Sequence, residues 1–138
     1  MIQTFVNVIV LGLIAHMIGD YVIQNDWMAL QKTKSWWPAI IHGITYGLPF
    51  IPLLFWFGAT PLAWLVIVST HIVLDHTYAV KHLIWFRNQF APKAYRPPHT
   101  ATGFGVDRPD WIAVWLMIIV DNTLHLAINT AAIYFLVL

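Results

Sequence analysis

Four apolar stretches dominate the chain, at about residues 2–24, 38–57, 62–80 and 111–137. Each is near or above the roughly 20 residues needed to cross a bilayer core of about 30 Å as a helix. The polar residues inside them are few and regularly spaced. Gly12, His16, Asp20 and Gln24 follow at four-residue intervals in the first stretch, and Asp121, His125 and Asn129 do the same in the fourth. The third carries His71 and Asp75, again four apart. Residues four apart share a helix face, so each stretch predicts a helix with one polar stripe turned toward protein and apolar surface elsewhere. In the second stretch, which opens near Pro38 and holds His42, Pro49 and Pro52 are expected to kink the helix. The third is expected to run on past Lys81 and His82 to Arg87. The predicted fold is all-α: a single transmembrane domain over 1–138, built as an integral membrane four-helix bundle.

Composition and charge support that class. The 138 residues are 59% hydrophobic and 9% charged, with a mean hydropathy of +0.69, which does not suit a soluble domain of this size. All seven Lys and Arg residues fall in the connections 25–37 and 81–110 or at their borders. By the positive-inside rule these connections are cytoplasmic and both termini lie on the non-cytoplasmic side of an inner, cytoplasmic membrane. The first stretch lacks a basic leader region and a small-residue cleavage site before Asn25, so it is expected to be retained. A formal charge of +1 with no basic helical stripe argues against nucleic acid as a partner. Trp36 and Trp37 stand where an interfacial aromatic belt is expected. The connection between Phe86 and Asp110 is long enough to suggest a role of its own.

The chemistry rests on the buried polar stripes. Ionisable residues within a membrane are costly and generally functional. With no cysteine and no glutamate, imidazole and aspartate are the only strong metal ligands in the chain. On the predicted topology, the His/Asp pairs of three helices and His42 of the second overlap in the inner half of the bilayer. The expected metal ligands are His16, Asp20, His71, Asp75, Asp121 and His125, with His42 as the catalytic acid-base group. The ion would be divalent zinc, manganese or iron, with enough donors for two. His76 projects about 100° from Asp75 and is expected to be a supporting hydrogen-bonding group. His82 and His99 are expected at the interface or in the loop, and Asp110 as the N-cap of the last helix.

The segment His16-Met-Ile-Gly-Asp20-Tyr-Val-Ile-Gln24, with Asp26-Trp-Met, Lys32, His42-Gly43, His71-x-x-x-Asp75 and Asp121-x-x-x-His125, resembles an uncharacterised family of small integral membrane proteins of bacteria and phages with an H-x-x-G-D-[FY]-x-x-Q signature. The resemblance implies a bacterial inner membrane as the location and no function. The His/Asp pattern is also similar in style to that of membrane-bound metal-dependent hydrolases. The leading expectation is therefore a metal-dependent hydrolase acting on a lipid or lipid-linked substrate. Two alternatives are a proton or cation carrier using the same residues, and a non-catalytic membrane factor of phage or prophage origin. Membrane lipid and an amphiphilic substrate are the expected partners. Self-association is expected as well, since Gly12, Gly19, Gly43 and Gly47 offer close-packing surfaces.

Overall fold

The computed structural model describes residues 2–58 and 60–137, and among them there is no β-strand. Helix α1 (Ile2–Met17) runs directly into a π-helical turn, Ile18–Ile23. A short α2 (Asp26–Gln31) follows, capped by the Asn25 side chain, which accepts from the Met28 amide at 3.0 Å. Next come α3 (Trp36–Gly47), α4 (Phe50–Trp56), α5 (Pro61–Thr77) and α6 (Ala79–Asn88). A 3₁₀ turn at Lys93–Tyr95 and a final α7 (Asp110–Val137) complete the chain. Asp110 stands inside the first turn of α7 rather than before it as a cap.

The chain divides into two compact units, one of Met1–Thr77 with His125–Leu138 and the other of Tyr78–Leu124. The apolar core of the first gathers Val8 and Ala15 of α1, Tyr46 of α3, Phe50, Leu53 and Leu54 of α4, Ala63 and Ile67 of α5, and Ala132 and Ile133 of α7. The second packs Val80 and Ile84 of α6 with Phe104 and Ala113.

Two helical segments, Gln3–Ile23 and Asp110–Leu136, are long and apolar enough to cross a membrane. There are up to four if the bent pairs α3 with α4 and α5 with α6 each count as one span. The break between α3 and α4 bends the path by 42°. Pro49 has no amide to donate, and Pro52 sits in the first turn of α4, where amides have no helical partner anyway. The break after α5 falls at Tyr78, whose φ of 54° is left-handed, a rare setting for a bulky residue.

In the first unit α3 packs closely on α5. A Cβ at Gly43 would collide with Ile72, and one at Gly47 would stand 2.5 Å from Val68 Cγ2. Trp64 Nε1 donates to the Gly47 carbonyl at 2.9 Å across the same contact. Gly19 in the π turn faces α3 in the same manner, since a Cβ there would lie 2.6 Å from Tyr46 Cδ2. Along α1 and the π turn the inward positions Val8, Gly12, Ala15, His16, Gly19 and Asp20 are buried, while Phe5, Val6, Val10, Leu13, Ile14 and Met17 are exposed. His16 and Asp20 thus point inward beside Val8 and Ala15, while most of the large apolar side chains of this segment face out.

Candidate metal centre

The buried polar residues of the first unit are His16, Asp20, His42, His71, Asp75, His125 and Asn129. The π turn carries Asp20, α3 carries His42, α5 carries His71 and Asp75 one turn apart, and α7 carries His125 and Asn129. Two donor groups form among them, Asp20 with His42 and His71, and His71 with Asp75 and His125, so that His71 belongs to both.

At the centre the Nε2 atoms of His42 and His71 face each other at 3.0 Å. His42 Nε2 lies 3.2 Å from Asp20 Oδ1 and 3.2 Å from Asp75 Oδ2. His71 Nε2 lies 3.4 Å from Asp20 Oδ1 and 3.1 Å from Asp75 Oδ2. Beyond it, His71 Nδ1 is 3.3 Å from His125 Nδ1, and His125 Nε2 is 3.5 Å from Asp75 Oδ1. Asp20 Oδ1 and Asp75 Oδ2 are sealed from solvent. Two imidazoles meeting through the same nitrogen need a proton or a cation between them. Donor atoms about 2.0–2.1 Å from one tetrahedral ion are separated from each other by about 3.3 Å. The five central separations, 3.0–3.4 Å, fall around that value.

One cation is already present. Lys32, carried just past the end of α2, places its Nζ 2.8 Å from Asp75 Oδ2, donates to Gln24 Oε1 at 2.8 Å and lies 3.4 Å from His42 Nε2. Its backbone is held as well, because His76 Nδ1 donates to the Lys32 carbonyl at 2.9 Å while the His76 ring packs on Trp36 at 3.8 Å. His76 thus anchors the connection that delivers the lysine. In the sequence Lys32 reads as a topology signal and as part of the motif after Gln24, and neither marks it as the partner of Asp75. With two aspartates against one ammonium, the cluster retains a net charge of −1 when its imidazoles are neutral. A buried surplus of that kind is costly unless a further cation or proton offsets it.

Of the expected ligands, Asp20, His71, Asp75 and His125 come together in these groups, and His42 joins them as a donor at their centre. His16 belongs to neither group. Its Nδ1 is 2.9 Å from Tyr46 Oη and 3.5 Å from Asp20 Oδ2. Tyr46 Oη also accepts from Asn129 Nδ2 at 2.6 Å, and the Tyr46 ring stacks on His71 at 3.6 Å with an 8° interplanar angle. His16 therefore meets the cluster at its edge, beside Asp20 and through a tyrosine that supports His71. Asp121 is half-buried on α7 in the other unit and belongs to neither donor group.

A family model described as a protein of unknown function, DUF3307, matches residues 8–137. No curated protein and no solved structure matches the chain.

Proposed function

The chain belongs to the DUF3307 family, and from that premise we propose that it is an integral membrane protein whose His/Asp cluster holds a divalent transition-metal ion and hydrolyses an amphiphilic phosphate or acyl ester. The observation that carries this reading is the convergence of Asp20 and Asp75 on the facing Nε2 atoms of His42 and His71, with separations of 3.0–3.4 Å. Asp20, His42 and His71 form one ligand group and His71, Asp75 and His125 a second that shares His71, mixed N and O sets that suit zinc, manganese or iron. The metal supplies Lewis acidity and an activated water. Tyr46 keeps the His71 ring fixed from behind, and Gln24 aims the ammonium of Lys32. Lys32 is the partly exposed member of the cluster, at 18% for its side chain, and is the group best placed to meet an anionic oxygen entering from the connection side. Four-helix bundles that carry inward carboxylates and histidines give this arrangement a precedent in general form.

The test is metal content. Protein purified in detergent and reconstituted with excess Zn²⁺, Mn²⁺ or Fe²⁺ is expected to retain stoichiometric metal after desalting, and Asp75→Asn to lose it with helical content unchanged. Failure of the wild type to retain any of the three ions overturns the metal centre. Retained metal with no turnover of lipid phosphates or acyl esters in mixed micelles overturns the hydrolase and leaves the centre standing.

A second reading is favoured by the row of imidazoles, with His42, His71 and His125 at successive separations of 3.0 and 3.3 Å. Such a row can relay protons, as intramembrane Asp and His chains do in pumps. Proton flux into liposomes that is lost in His71→Ala, from a protein that retains no metal, would select the relay instead.

A further inference from the structure

The unit Tyr78–Leu124 contains a cavity unrelated to the His/Asp cluster. It has a volume of about 660 Å³, and its wall includes Arg96, Arg108, Tyr95, Phe104 and the Pro97-Pro98 pair. That volume lies within the ~300–1,000 Å³ usual for small-ligand sites. We propose that this cavity binds a phosphate group, that of an anionic lipid at the membrane surface or of a soluble phosphate, between the guanidinium groups of Arg96 and Arg108.

Three observations carry the assignment. First, the wall is built rather than loose. Gly103, with φ of +77°, packs against the Lys81 carbonyl and the Trp85 amide at a distance no side chain would allow. Asn88 Nδ2 donates to the Gly103 carbonyl at 3.1 Å, Thr100 Oγ1 donates to the Phe104 carbonyl at 2.9 Å, and Gln89 Nε2 donates to the Pro97 carbonyl at 3.3 Å. Second, the arginines are held in place with donors to spare. Arg96 spends its Nε on the Ala91 carbonyl at 2.9 Å, which orients the rest of its fork. Arg108 lies 4.8 Å from the centre of the buried Phe104 ring. Planar guanidinium groups of this kind match phosphate oxygens in pairs. One carboxylate, Asp107, is also in the wall, so the cavity keeps a net positive charge. Third, the wall residue Tyr95 is 77% exposed, and Phe90 and Trp111, each next in sequence to a wall residue, are 77% and 68% exposed. A basic pocket among exposed aromatic side chains is the composition expected where protein meets lipid headgroups. The assignment rests on this unit alone and does not depend on whether the cluster holds metal.

The experiment measures binding of short-chain phosphatidylglycerol, short-chain phosphatidylcholine and inorganic phosphate to the full chain in detergent, by native mass spectrometry with a parallel titration. The wild type is expected to bind phosphatidylglycerol saturably and more tightly than phosphatidylcholine. Arg96→Gln with Arg108→Gln should weaken it by roughly thirty-fold. Arg87→Gln is the control, because Arg87 flanks Phe104 from outside the wall and its loss should leave binding within about two-fold. Displacement by inorganic phosphate at comparable concentration would identify a soluble phosphate as the ligand, and its absence a lipid. Equal binding of the two lipids together with no saturable phosphate binding overturns the proposal, as does a double variant that binds like the wild type while melting at the same temperature.

Discussion

His71 is the side chain on which the cluster turns. It faces His42 through one nitrogen and His125 through the other, with Tyr46 stacked on its ring. Replacing Tyr46 by phenylalanine keeps the stacking surface and withdraws the hydroxyl that His16 and Asn129 share. Expected is a loss of about 1–3 kcal/mol in stability, read as a lower melting temperature in detergent, with metal stoichiometry retained. Lys32→Met acts in the opposite sense on the metal. Removing the ammonium 2.8 Å from Asp75 leaves more uncompensated negative charge at the ligands, so metal affinity measured by competition with a chelating dye should rise by about ten-fold or more. At this scale the sequence was informative where chemistry repeats and silent where it does not. The pairs of His71 with Asp75 and of His16 with Asp20 are legible because four-residue spacing places two groups on one helix face. That Lys32 reaches Asp75, forty-three positions away, is not legible, because a lysine in a polar connection looks the same whether it serves topology or a buried carboxylate. The joining of His16 to Tyr46 was equally hidden, since nothing in an apolar stretch marks which tyrosine hydroxyl is turned inward.

Among the elements, the decisive ones are the π turn at Ile18–Ile23 and the glycine-lined contact of α3 with α5. The stripe Gly12, His16, Asp20 and Gln24 was expected on a continuous α-helix. The extra residue per turn at Ile18–Ile23 changes that register where Asp20 is presented, and π turns inside helices are frequent at functional sites. Hydrophobic periodicity reports the existence of an element and its apolar face, and it does not report a one-residue change of winding. The prolines of the second stretch did announce its break, whereas Tyr78 gave no comparable signal for the break after α5. Gly43→Ala tests the close packing. The added methyl meets Ile72, and overpacking of this kind costs about 1–3 kcal/mol. The melting temperature should fall, and His42, one residue away on α3, should lose metal affinity with it. A variant as stable as the wild type would mean that α3 and α5 are not pressed together at this point.

For the molecule as a whole, the distribution of polarity departs from that of a soluble domain, with four histidines and two aspartates buried beside the apolar core and many large apolar side chains exposed. Composition alone had indicated this, because so few charges cannot cover the surface of 138 residues. Composition did not indicate that the chain forms two compact units, with the residues from His125 onward belonging to the N-terminal one. If the cluster binds metal in the folded state and not in the unfolded one, added Zn²⁺ or Mn²⁺ raises the melting temperature with the logarithm of its concentration, and chelation lowers it. An unchanged melting curve in both directions would separate the cluster from stability. One consequence follows from Lys32 being mounted on a connection rather than on a spanning helix. The ammonium can leave its carboxylate by rotating about the bonds of its own flexible stem, a motion of picoseconds to nanoseconds for freely moving side chains, where displacing packed helices takes microseconds or more. The partner of Asp75 can then change with the scaffold standing still, so the rate at which an ion enters or leaves this carboxylate is expected to depend on the length and charge of the side chain at position 32.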